Sequence, residues 1–136
     1  MGHGDEPACR VDDLVLDLQE DPCSIAGMRR RVAEAMGDLS EDELYDVMLV
    51  ATELLTNAYD HGAVPRRIRF VRSERPGCVR VEVDDTSSDP PILGRSTISE
   101  HRGRGLVMVD SIAQAWGTKS RKVGKTVWAT IPCEKV

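Results

Sequence analysis

The chain has 136 residues, 40% of them apolar and 30% charged, the size and balance of one globular domain with its own core. Its net charge of −5 argues against a general nucleic-acid or membrane binder, since both need basic surface. No apolar run approaches the roughly 18 residues of a membrane span, and Met-Gly-His-Gly-Asp-Glu lacks the basic start and apolar stretch of a signal peptide. The expected location is the cytoplasm. Cys9, Cys23, Cys78 and Cys133 form no C-x-x-C pair, so reduced, packed thiols are expected rather than a zinc or redox site.

In chain order, residues 1–9 read as a disordered polar tail. Leu14, Leu16 and Leu18 alternate with Asp13, Val15 and Asp17, the pattern of a strand with one buried face. Asp21 or Ser24 caps a first helix over about Ile25 to Met36, which carries the basic cluster Arg29, Arg30 and Arg31. On an acidic protein such a cluster is either solvated surface or a local partner site. Ser40 and Glu43 form a capping box for a long second helix. Leu44, Val47, Met48, Ala51, Leu54, Leu55 and Ala58 make its apolar stripe, with Glu53 and Asn57 roughly opposite, and Gly62 ends it.

Beyond Pro65, Ile68 and Phe70 alternate with Arg67, Arg69 and Arg72, a strand with a basic outer face. Arg75-Pro76-Gly77 turns the chain into a second strand carrying Val79, Val81 and Val83. Glu82 on it is a cross-strand partner for Arg69 or Arg67, the register deciding which. Asp84 to Pro91 forms a loop, and Gly103-Arg104-Gly105 opens a third helix that ends near Ala115. Trp116 to Lys122 reads as a strand, Val123-Gly124-Lys125 as a turn, and Val127, Ala129 and Ile131 as the inward positions of a last strand. The order β-α-α-β-β-α-β-β predicts an α+β fold, a two-layer sandwich of mostly antiparallel sheet with helices on one face.

Three separated pieces carry chemistry. Glu53 and Asn57 stand one helical turn apart, Asp85 ends a valine-rich strand, and Gly103-Arg104-Gly105-Leu106 precedes a helix. Glycines before a helix expose backbone N–H groups and the positive end of the helix dipole, which suits phosphate. Asn57 offers an oxygen to Mg²⁺, Glu53 a proton acceptor, and Asp85 an acceptor for an amino group such as adenine's.

In this order the pieces resemble the ATP-binding fold shared by DNA gyrase, MutL and histidine kinases. More closely, the chain resembles small anti-sigma factors of the RsbW and SpoIIAB type, a serine protein kinase family, in the stand-alone form found in actinobacteria. The resemblance runs from about Val11 to Ile131. It rests on E-L-L-T-N-A-x-x-H-G at 53–62, G-R-G-L-x-M-V-D at 103–110, W-G at 116–117 and G-K-T-V-W at 124–128. It implies that residues 10–136 form one histidine-kinase-like ATP-binding domain. By it, Asn57 binds Mg²⁺ and Glu53 is the catalytic base. Asp85 takes the adenine amino group with Thr126 in support, and Gly103, Arg104, Gly105 and Leu106 surround the phosphates of ATP. A sigma factor and a serine-phosphorylated antagonist are the implied partners, with a homodimer as the assembly and Arg29 or Arg30 near the sigma-contacting arginine.

The family's aspartate normally opens D-x-G-x-G, whereas Asp85-Thr86-Ser87-Ser88-Asp89-Pro90 stands here, with Asp84 as the alternative aspartate. Two functional classes follow. The first is a kinase that phosphorylates its antagonist and sequesters a sigma factor, favoured by Glu53. The second is a regulatory binding module with weak or no nucleotide binding, favoured by the missing glycines.

Overall fold

The structure, a computed structural model, describes residues 10–17, 24–61, 65–74, 77–87 and 109–133. The expected tail at residues 1–9, Leu18, Gly62 and the whole Gly103–Leu106 segment lie outside the described residues. The elements are β1 (Arg10–Asp17), α1 (Ser24–Ala35), α2 (Glu41–His61), β2 (Pro65–Glu74), β3 (Gly77–Asp85), β4 (Ala115–Ser120) and β5 (Lys125–Pro132), with residues 109–112 helical before β4. All pairings are antiparallel, and the sheet order is β1-β2-β3-β5-β4. The α+β architecture expected from the element order is therefore present.

Local signals start α2 where the sequence places it. Ser40 N–H donates to Glu43 Oε1 at 3.0 Å, and Glu43 N–H to Ser40 Oγ at 3.1 Å, which closes the capping box. Glu41, Asp42 and Glu43 in the first turn favour the positive end of the dipole. α2 then buries Val47, Val50, Ala51, Leu54, Leu55 and Ala58. Met28 and Val32 of α1 join them, over Ile68 and Phe70 of β2, Val79, Val81 and Val83 of β3, and Val127, Ala129 and Ile131 of β5, in one core. Each of the valine, leucine, isoleucine, phenylalanine and methionine side chains among them contributes about 1.5–3 kcal/mol when removed from water, before chain entropy is charged against it. α2 lies against β2, β3 and β5, while α1 lies against β1 and α2.

On β3, buried Val79, Val81, Val83 and Asp85 alternate with half-buried Arg80, Glu82 and Asp84. The odd positions face the helices and the even ones the open side. The open side carries a lattice of charges. Arg67 meets Asp17 at 3.2 Å, Arg69 meets Glu82 at 3.8 Å, Arg80 meets Glu82 at 2.8 Å, and Arg80 also sits 4.3 Å over the Trp128 ring. The register thus gives Glu82 to Arg69, directly opposite it, and Arg67 to Asp17.

Three expectations change. Arg72 does not share the outer face of Arg67 and Arg69. It has the parity of Ile68 and Phe70, and its guanidinium makes a bidentate pair with Asp38 at 2.9 and 2.8 Å, which ties β2 to the turn between α1 and α2. The third helix stops short of Ala115, because Gln114 N–H already donates to Thr130 O at 2.7 Å and the sheet has begun. β4 ends at Ser120 rather than Lys122, since the β4–β5 turn closes with Arg121 N–H on Gly124 O at 3.0 Å. Among the described cysteines, Cys78 and Cys133 are free thiols, and burial pushes Cys133 up to about 11.

Candidate functional site

Glu53 and Asn57 are both half-buried, so they flank the apolar stripe of α2 instead of standing opposite it. Withdrawal from water raises the Glu53 pKa above its ordinary 4.5. A carboxyl held in that direction is a better proton acceptor near neutral pH than a solvated one. Beside it, Thr52 Oγ1 is buried without a hydrogen-bond partner among the described residues.

The second part of the site is the junction of β3 with β5. The end of a strand would ordinarily be wet, but Asp85 is 0% exposed. Its Oδ1 accepts from Ser87 N–H at 2.7 Å and from Lys125 Nζ at 3.1 Å. Its Oδ2 lies 3.0 Å from the same ammonium in an ion pair, yet accepts no hydrogen bond among the described residues. Lys125 is only 5% exposed and reaches Ser87 O at 3.4 Å as well. This geometry depends on Gly124, whose φ is +92° and whose missing Cβ would stand 1.9 Å from Asp85 O. Only glycine lets the turn backbone come that close to the end of β3.

Asp84 faces the other way. It accepts from Thr126 Oγ1 at 2.6 Å and pairs with Arg121 at 3.4 Å, across from Thr126 in the register. Thr126 therefore supports Asp84 on the open side, and Lys125 holds Asp85 on the helical side. Lys125 is the site residue that the sequence reading passed over. The signal was its parity: it shares the inward face with Val127, Ala129 and Ile131, where a lysine has to be paired.

The residues present fit a nucleotide and a magnesium ion through one carboxylate and one carboxamide. An unsatisfied, fully buried carboxylate oxygen suits an amino group. Among the described residues no group of three His, Cys, Asp or Glu side chains forms a metal cage. A Mg²⁺ ion held mainly by phosphates and water needs no more than the Asn57 carboxamide oxygen from the protein. Gly103, Arg104, Gly105 and Leu106 lie outside the described residues.

The basic cluster sits elsewhere. Arg29, Arg30 and Arg31 are exposed on α1. Arg30 and Arg31, with Leu16, Asp17, Gly27 and Met28, line a groove of about 450 Å³ between α1 and β1. Arg29 is not part of that lining.

A family model described as "Histidine kinase-like ATPase domain" matches residues 18–131. No curated protein sequence matches the chain. Among solved structures, the RsbU and RsbW domains of Rv1364c from Mycobacterium tuberculosis are similar, with a TM-score of 0.64 and 16% identity. The alignment covers 93% of this chain and 35% of that one, so the chain spans about a third of its length. At that identity the likeness shows the fold. No described helix is long and apolar enough to cross a membrane.

Proposed function

This chain belongs to the histidine kinase-like ATPase domain family, and from that premise we propose that it is an ATP-binding anti-sigma factor that sequesters a sigma factor and phosphorylates a serine of its antagonist. The observation that carries the nucleotide part is Asp85, a carboxylate with no exposure and one oxygen without a hydrogen bond among the described residues, at a place that suits an adenine amino group. The RsbW-type architecture of a similar solved structure supports the partner-switching part.

In this reading ATP would supply the phosphoryl group with Mg²⁺ offsetting its charge. Asn57 would hold the ion, and by the family resemblance Gly103, Arg104, Gly105 and Leu106 would surround the phosphates. Glu53, desolvated and poised as an acceptor, takes the proton of the serine hydroxyl. Arg30, at the rim of the α1–β1 groove, and Arg29 beside it meet the acidic side chains of a protein partner. A second copy completes a homodimer, and the protein works in the cytoplasm.

Thermal unfolding with and without Mg-ATP tests the premise, since a ligand of the folded form raises the melting temperature by mass action. Transfer of label from γ-labelled ATP to a candidate antagonist tests the kinase. A shift without transfer favours the second reading, a binding module of the same fold. The observations behind that reading are the Asp85-Thr86-Ser87 stretch, which lacks the family's glycines, and the lysine already seated on Asp85.

A further inference from the structure

The buried pair at the end of β3 has an unusual division of labour. Asp85 Oδ1 is saturated, with Ser87 N–H at 2.7 Å and Lys125 Nζ at 3.1 Å. Oδ2 lies 3.0 Å from the ammonium and accepts no hydrogen bond among the described residues. Lys125 has three N–H donors, and among the described residues it donates to Oδ1 and, at a long 3.4 Å, to Ser87 O. One acceptor and at least one donor therefore stand side by side, both out of water. A purely structural ion pair gains by satisfying both partners, because an unmet buried group costs stability.

We infer that Lys125 and Asp85 read the base together: Oδ2 accepts from the exocyclic amino group of adenine, and the Lys125 ammonium donates to the adjacent ring nitrogen, N1. This rests on the nucleotide reading above and adds to it a specificity-determining residue. An amino group next to an unprotonated ring nitrogen is the edge that such an acceptor–donor pair complements. Guanine presents the opposite order, with a carbonyl facing the carboxylate and an N–H facing the ammonium. Lys125 thus supplies a direct donor, and Gly124 fixes its distance to Asp85 by admitting the turn backbone against Asp85 O.

The test uses the full chain and Mg²⁺, and measures affinities for ADP, for 1-deaza-ADP (N1 replaced by C–H) and for purine riboside diphosphate (no amino group). Each change removes one hydrogen bond to a charged, buried group, so both analogues should bind about tenfold or more weaker than ADP. Equal affinity of ADP and 1-deaza-ADP, with the amino-free analogue weaker, overturns the role of Lys125 and leaves the nucleotide reading standing. No binding of any of the three at millimolar concentration overturns both. In Lys125→Met, the ratio between ADP and 1-deaza-ADP should fall to near one if circular dichroism shows the variant folded; an unchanged ratio counts against the inference. The analogue comparison on the unaltered chain decides the matter even where that variant does not fold.

Discussion

Thr126 Oγ1 donates to Asp84 Oδ1 at 2.6 Å, while its neighbour Lys125 holds its Nζ 3.0 Å from Asp85 Oδ2. Two consecutive residues of β5 thus serve two consecutive aspartates of β3 on opposite faces of the sheet, as the cross-strand register requires. The consequence separates stability from binding. Thr126→Val removes a hydrogen bond to a charged acceptor that Arg121 also pairs, so it should cost about 1–2 kcal/mol in urea unfolding. Nucleotide affinity should stay within about twofold. A large loss of affinity with little loss of stability would mean that Thr126 works for the nucleotide site across the sheet.

Two glycines should respond to alanine with opposite signs. Gly124 has φ +92°, and its added Cβ would meet Asp85 O at 1.9 Å and Thr86 Cα at 2.7 Å. The left-handed conformation alone costs a residue with a Cβ about 1–2 kcal/mol, and the backbone shift adds to it. Gly27, inside α1, has nothing within 4 Å of an added Cβ, so Gly27→Ala should stabilise by about 0.5–1 kcal/mol through helix propensity. Urea midpoints at unchanged m-value measure both. A neutral Gly124→Ala would contradict the close approach of the turn to β3.

Much of the fold was legible because its signals are local. The helical spacing of Val47, Ala51, Leu54 and Ala58, and the Ser40–Glu43 box, need only a few neighbouring residues to be read. So does the alternation of Val79, Val81 and Val83. What escaped was set by pairing between distant segments. Arg72 finds Asp38 and Lys125 finds Asp85 across 34 and 40 positions, and spacing along the chain does not say which partner register will deliver. Parity within each strand did hold the clue, since both cations share the face of buried apolar residues. Of the site itself, Glu53, Asn57 and Asp85 were legible as residue types, and the desolvation of Glu53 followed only from its place on the flank of α2.

Arg30 and Arg29 divide the question of the partner surface. Arg30 lines the α1–β1 groove and Arg29 does not, although both are exposed. Charge reversal on the rim of an interface acts on association, so Arg30→Glu should weaken capture of a sigma factor about tenfold or more in pull-down titrations. The Mg-ATP melting shift should be unchanged. If Arg29→Glu is the damaging substitution and Arg30→Glu is silent, the partner sits on the outer side of α1, away from the groove. Full binding by both variants returns the cluster to solvated surface.

Glu53 gives the last prediction, and its sign follows from the direction of the shift. Burial raises the folded pKa above the ordinary 4.5, so the fold disfavours the charged form. The stability associated with the protonated carboxyl is fully present below 4.5 and is lost as pH rises through the raised value. Glu53→Gln carries no charge to desolvate. It should therefore be as stable as the parent or more so at neutral pH, with the difference vanishing in acid. A proton acceptor must be ionised to work, so phosphate transfer by the unaltered chain should rise with pH across the raised Glu53 value, at higher pH than a solvated glutamate would give. Glu53→Gln should lose about 10²–10⁴-fold in transfer while ATP still binds, because the carboxamide keeps the shape and lacks the basicity. Parallel pH–rate and ATP-affinity measurements on the two proteins decide it. Transfer that survives in Glu53→Gln with its pH profile intact removes Glu53 from the chemistry and leaves Asn57 and Asp85 as a binding site alone.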